Sequence, residues 1–186
     1  MTQKTIGIAL ASSAALILAA ASPAHAGESR RVARGRYLVT LGGCNDCHTP
    51  LKMGQNGPEP DMARMLSGHP QALEMPAAPA IPPGPWMATV GATMTAWSGP
   101  WGVSFTANLT PDPETGLGKW TEQNFIDTVR SGRHMGRGRQ ILPPMPWQNV
   151  GAMTDEDLKS VFAYLRSIPA IRNQVPAPLP PAVAAK

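Results

Sequence analysis

Of 186 residues only two are cysteine, Cys44 and Cys47. A structural zinc site needs two more Cys or His ligands at short spacing, and His25, His69 and His134 stand singly. No βαβ pattern surrounds the cysteine pair, so the context of a thioredoxin-like redox motif is missing. No segment repeats at a period of 20–50 residues. A strong charge of one sign is missing too. Sixteen Lys and Arg stand against twelve Asp and Glu, a net +4, too mild for a nucleic-acid binder. After the first 26 residues no apolar run approaches the roughly 20 residues that a spanning helix needs.

The N-terminus itself reads as a secretory leader over residues 1–26. Lys4 supplies the positive end, Ile6 to Ala21 is apolar or small, and Ala24-His25-Ala26 after Pro23 forms an A-x-A cleavage site. The apolar run is too short for a membrane anchor. Cleavage leaves 160 residues, which suits one domain, with 15 basic and 12 acidic side chains and a net charge of +3. The expected destination is the periplasm.

Cys44-Asn45-Asp46-Cys47-His48 is a C-x-x-C-H box, the attachment signature of c-type haem. Two thiols adding to the two vinyl groups of one porphyrin edge must stand a short, fixed distance apart. Two intervening residues in a tight helical turn give that reach. His48, next in the chain, then falls beneath the ring, where its imidazole can bind iron. Both cysteines are consumed, none remains for a disulfide, and the covalent cofactor serves as the cross-link. One box implies one haem.

The second signal is Leu142-Pro143-Pro144-Met145-Pro146-Trp147. Prolines on both sides hold the backbone extended and remove competing N–H donors. A thioether on a stiff loop suits a second axial ligand, and it raises the reduction potential relative to water or a second His. Met135 lacks the proline frame, Met153 lies at the start of the last helix, and His134 is a weaker rival for the iron.

Helices are expected over Ser29–Gly42 with Ser29 as N-cap, over Glu122–Arg130 with Thr121 as cap and Gly132 as stop, and from Thr154 to near Ser167. Val32, Tyr37, Leu38 and Leu41 are the apolar members of the first. Between them lies an irregular insert, about residues 52–105, rich in Pro, Gly, Met and Ala. Its prolines break any long helix or central strand. Asp61 to Ser67 allows one short helical turn. Trp86, Trp97, Trp101 and Phe105 argue that the insert packs, covering the cofactor edge in preference to docking a partner. Met53, Met62, Met65 and Met75 near His69 read as gap-filling rather than as a copper site. Arg133, His134, Arg137 and Arg139 form a basic loop, solvated residue by residue or turned toward propionates or an acidic partner. Residues 174–186 read as a Pro/Ala-rich extended tail.

These motifs together resemble the class I c-type cytochromes, monohaem and His/Met-ligated. The run Ala107-Asn108-Leu109-Thr110-Pro111-Asp112, continued by Thr115-Gly116-Leu117-Gly118-Lys119-Trp120-Thr121, resembles a segment of cytochrome subunits that serve periplasmic dehydrogenases. The resemblance spans roughly residues 29–173 in outline, and the long insert departs from the small cytochromes. It implies an all-α fold, three main helices around one haem, with the first helix crossing the last through a small residue. Gly35 is placed for that role, with Tyr164 opposite. It implies Met145 as distal ligand. It also puts Trp120 along the haem edge, where the indole N–H either meets a propionate or the residue is simply a core ring at a helix start. The expected function is one-electron transfer by a non-catalytic carrier, free or as the cytochrome subunit of a dehydrogenase, with a dehydrogenase or oxidase as redox partner. The alternatives are a haem enzyme of peroxidase type and a gas-binding module, each requiring an open sixth site.

Overall fold

The computed structural model describes residues 23–79, 81 and 84–181. Residues 1–22 of the expected leader lie outside the described residues, while Pro23 to Ala26 form the first turn of helix α1. No helix among the described residues is long and apolar enough to cross a membrane.

Among the described residues five α-helices run in chain order: α1 (Pro23–Leu41), α2 (Cys44–His48), α3 (Glu122–Ser131), α4 (Trp147–Gly151) and α5 (Asp155–Ser167). Helix α1 starts earlier than Ser29, so that residue sits inside the helix instead of capping it. Only a narrow stripe of α1 faces inward, with Gly35, Leu38 and Val39 buried, whereas Tyr37 and Leu41 face solvent. The stripe packs on α5. A Cβ on Gly35 would run into the Ser160 carbonyl and the Tyr164 Cβ, so only glycine permits this approach. Arg34 closes the crossing from outside, its Nε donating to Asp157 Oδ1 at 2.9 Å.

Helices α3 and α5 start as their sequences dictate. Thr121 Oγ1 accepts from Asn124 N at 3.1 Å and Asn124 Oδ1 accepts from Thr121 N at 3.2 Å, a reciprocal capping box. Thr154 Oγ1 accepts from Asp157 N at 3.2 Å, and Asp155, Glu156 and Asp157 fill the positive first turn. Gly132 stops α3 at φ 66°. The core lies where α1, α3 and α5 meet, with Leu38, Val39, Ile126, Val129, Leu158 and Leu165 buried and Phe125 tilted against Phe162 at 5.5 Å. Each such side chain contributes about 1.5–3 kcal/mol of burial free energy.

The all-α expectation is wrong. Among the described residues five strands form two antiparallel sheets, and the protein is mixed α and β. β1 (Leu51–Gly54) pairs with β2 (Gly57–Pro60) as a hairpin with Gly54 opposite Gly57. β3 (Thr89–Val90), β4 (Ala96–Gly99) and β5 (Gly102–Phe105) form the second sheet, with Gly99 opposite Gly102 across a Pro100-Trp101 turn. Gly102 takes φ 93°, a conformation that favours glycine. The insert even holds a central strand, since β4, free of proline, is paired on both sides by β3 and β5. A two-stranded sheet has only edges, and an edge accepts Pro58 and Pro60. Strands of two to four residues are also too short to declare a period of two.

The insert is pinned at several points. Trp97 Nε1 donates to Met94 O at 3.1 Å, and Phe105 packs on the buried His69 at 4.8 Å. Trp86 does not follow, being 81 % exposed. The extended C-terminal segment lies along β5, with Val103 and Leu179 exchanging two backbone hydrogen bonds at 3.0 and 2.9 Å.

Candidate functional site

Helix α2 carries the C-x-x-C-H box as one helical turn. Gly42 N donates to Leu38 O at 2.8 Å, ending α1, and Gly43 at φ 63° turns the chain into α2. Thr49 N donates to Asn45 O at 3.0 Å and ends it. The Thr49 side chain then serves twice, donating to Asn45 Oδ1 and accepting from Leu66 N, both at 2.8 Å. Gly68 N donates to His48 O at 2.8 Å, so the segment beyond the first hairpin holds the box from its far side.

His48 is 8 % exposed, and its Nδ1 lies 2.7 Å from the Ala107 carbonyl. A carbonyl only accepts, so Nδ1 carries the hydrogen and Nε2 keeps its lone pair. Burial pushes the imidazole below its ordinary pKa, outweighing the opposite pull of the Ala107 carbonyl, so the ring is neutral at pH 7. A neutral imidazole fixed through Nδ1 is the form that binds a metal through Nε2.

Cys44 and Cys47 are both free thiols. Burial pushes the Cys44 thiol up to about 11, and burial together with Asp46 raises Cys47. Among the described residues no three Cys, His, Asp or Glu side chains gather as a metal site.

Met145 is partly buried in the proline loop, and its carbonyl accepts from Trp147 N at 2.9 Å. The loop is tied to the second sheet, since Ser104 Oγ donates to Pro143 O at 2.6 Å. Ser104 is three residues before Ala107. One short stretch of chain thus links the Met145 loop to the carbonyl that orients His48. Met153 packs against the core and its carbonyl accepts from Arg130 Nη2 at 2.9 Å. Met135 sits in the turn after α3 at φ 54°. His134 is exposed and meets Trp120 edge-on at 5.2 Å. Trp120 itself packs on the core at the start of α3. Met53 and Met62 are exposed, and both ring nitrogens of His69 are engaged, with Leu73 O and Thr95 Oγ1, each at 3.0 Å.

The run from Ala107 to Thr115 is built to hold its own shape. Asn108 Oδ1 accepts from Thr110 N and Oγ1 at 3.0 and 2.7 Å, while its Nδ2 donates to Ile171 O at 2.8 Å. Asp112 Oδ1 accepts from Glu114 N, Thr115 N and Thr115 Oγ1 at 3.1, 2.7 and 2.7 Å, which holds its carboxyl below the usual range. These polar side chains are spent on fixing backbone, and the backbone they fix begins at the acceptor of His48. Ala107, Ser104 and Thr49 were not anticipated. A backbone carbonyl leaves no mark in the residue type, and the only available signal was the Asn-Leu-Thr-Pro-Asp run beside it.

No family model matches the chain. A nicotinate dehydrogenase component of Pseudomonas putida is 36 % identical over 78 residues, 42 % of this chain and 6 % of that protein. The fructose dehydrogenase cytochrome subunit of Gluconobacter japonicus is 28 % identical over 153 residues, 79 % of this chain and 24 % of that subunit. The gluconate 2-dehydrogenase cytochrome c subunit of Pantoea cypripedii is 31 % identical over 133 residues, 72 % of this chain and 22 % of that subunit. The chain spans about a quarter of the two cytochrome subunits and a far smaller share of the nicotinate dehydrogenase component. Over some three quarters of its length, then, its homologues are cytochrome c subunits of dehydrogenases, which supports a c-type cytochrome.

Proposed function

We propose that this chain is an electron carrier holding one c-type haem, attached through Cys44 and Cys47 and ligated by His48 and Met145, and that it acts in the periplasm as the cytochrome component of a dehydrogenase. The observation that carries the reading is the buried His48, neutral and fixed through Nδ1 to the Ala107 carbonyl with Nε2 free. The donor set fits the group. Two unpaired thiols stand on one helical turn, and a neutral imidazole follows them directly. The haem, when bound, supplies the one-electron Fe(III)/Fe(II) couple.

The chain's own residues supply the rest. The Ala107 carbonyl keeps His48 in one tautomer and one orientation. Pro144 and Pro146 stiffen Met145 so that its sulfur is held in place through both oxidation states. The Ser104 hydrogen bond to Pro143 O ties the proline loop to the second sheet. A filled coordination shell suits transfer of electrons without transformation of a substrate, which is the role of a non-catalytic subunit. A dehydrogenase partner is the reading that the homologous cytochrome subunits support, and export is the reading of the leader pattern over residues 1–26. The test is the mass of the denatured protein expressed with a cytochrome c maturation system. An added mass of one haem, retained through denaturation, supports the reading. A denatured chain of bare polypeptide mass refutes it.

A further inference from the structure

No Asp or Glu stands between Asp127 and Asp155, a run of 27 residues that holds Arg133, Arg137, Arg139 and Met145. Elsewhere cations are neutralised within the chain. Arg31, Arg34, Lys52, Lys119, Arg130 and Lys159 each face a carboxylate oxygen at 2.7–3.9 Å. Among the described residues Arg133, Arg137 and Arg139 face none, and all three are exposed. Arg133 Nη1 donates only to the neutral Gly138 carbonyl, at 3.2 Å. Asp127 packs against Gly136, but its Oδ1 is taken by Gln123 Nε2 at 2.8 Å.

The three arginines are held together by backbone. Ile141 N donates to Gly132 O at 2.8 Å and His134 N to Arg139 O at 2.9 Å, with Arg133 paired to Gln140. Gly138 N donates to His134 O at 2.7 Å and closes the tip. This 133–140 hairpin stands on the Met145 loop. A Cβ on Gly132, at its root, would strike the Trp147 ring, two residues beyond Met145. On its other side Ile141 runs directly into Leu142 and the prolines. Pro143, Pro144 and Pro146 are exposed, while Met145 among them is partly buried. The surface above Met145 is thus uncharged, stiff and open, with three guanidinium groups beside it. An apolar centre with a polar rim is the anatomy of a protein–protein interface. A surface that is already rigid loses little freedom on binding, and charge at the rim steers the approach.

We propose that the Met145 loop and the 133–140 hairpin form the docking face for the redox partner, and that the partner presents carboxylates to Arg133, Arg137 and Arg139. This rests on the haem-binding reading above and adds the face through which the electron passes. Arginine suits the role, since its planar fork pairs with a carboxylate through two parallel hydrogen bonds.

The experiment uses the matured, reduced holoprotein and two variants, each first checked for covalent haem by mass. R137E/R139E reverses charge on the hairpin. R30E/R36E places the same change of net charge on α1. Stopped-flow oxidation is measured with hexacyanoferrate(III), an anion, and with tris(phenanthroline)cobalt(III), a cation. At about 0.1 M salt only nearby charges act, so R137E/R139E should slow the anion about tenfold and speed the cation. R30E/R36E should alter either rate by less than about twofold. Poly-L-glutamate added to the wild type should shift the amide signals of residues 133–140 in NMR spectra. Equal rates in the two variants, or glutamate-induced shifts confined to other residues, overturn the proposal alone. Wild-type protein without covalent haem overturns the functional reading, and this proposal with it.

Discussion

Replacing Asn173 with alanine should cost the protein about 3 kcal/mol, although the residue lies 125 positions from His48 in the chain. Asn173 is 1 % exposed. Its Nδ2 donates to Ser67 O at 2.7 Å and to His69 O at 2.8 Å, and its Oδ1 accepts from Gln71 N at 2.9 Å. Three bonds at a net 0.5–1.5 kcal/mol each give roughly 3 kcal/mol, and more where a stranded carbonyl stays dry. In a chain of this size that lowers Tm by roughly 6–12 °C. The segment that Asn173 clamps includes Gly68, whose N–H holds the His48 carbonyl. Urea unfolding of N173A should show a lower midpoint with an unchanged slope. Hydrogen exchange at the Gly68 amide should accelerate before global unfolding. A loss below about 1 kcal/mol with unchanged exchange at Gly68 would refute the idea that the C-terminal segment braces the site.

G35V should be destabilising by about 1–3 kcal/mol or more, because the obstacle is the Ser160 backbone and α5 must shift to admit a side chain; chemical denaturation decides it, and a change within about 0.5 kcal/mol contradicts the α1–α5 crossing. Asp157 is held below its ordinary pKa, first by its hydrogen bond to Arg34, so the stability it contributes is present above about pH 4 and is lost as pH falls through the folded value. The difference in urea midpoint between wild type and R34A should accordingly be largest at neutral pH and close in acid, and a gap that persists at about pH 2 argues against the linkage. C44A/C47A should release all haem into acidified organic solvent, whereas either single variant retains it through one thioether; full retention by the double variant would mean that these cysteines are not the attachment points.

What could be read in advance was chemistry concentrated in adjacent side chains. The five residues from Cys44 to His48 and the proline frame of Met145 announce themselves, and α3 and α5 lie close to where Thr121, Gly132 and Thr154 put them. Gly35 was readable through the resemblance, which implies a first helix crossing the last at a small residue, and the missing Cβ is what lets α5 approach. Backbone chemistry was not readable. The partner of His48 is the carbonyl of an alanine, and nothing in that residue type separates it from the other alanines. The sheets were missed because strands such as Thr89–Val90 carry no period, because proline was weighed against the whole insert although β2, which holds Pro58 and Pro60, is an edge, and because the central β4 is a proline-free run of only four residues. The first helix misled in another way. Tyr37 and Leu41 looked like core and are exposed, while Gly35 and Val39 carry the contact.

The account turns on both faces of the iron being held, and carbon monoxide added to the reduced holoprotein at neutral pH tests this most directly. With His48 and Met145 both bound, the visible spectrum should not change. Rapid and complete conversion to the carbonyl form would contradict the account, since a site that opens so readily belongs to a protein that binds or transforms a ligand.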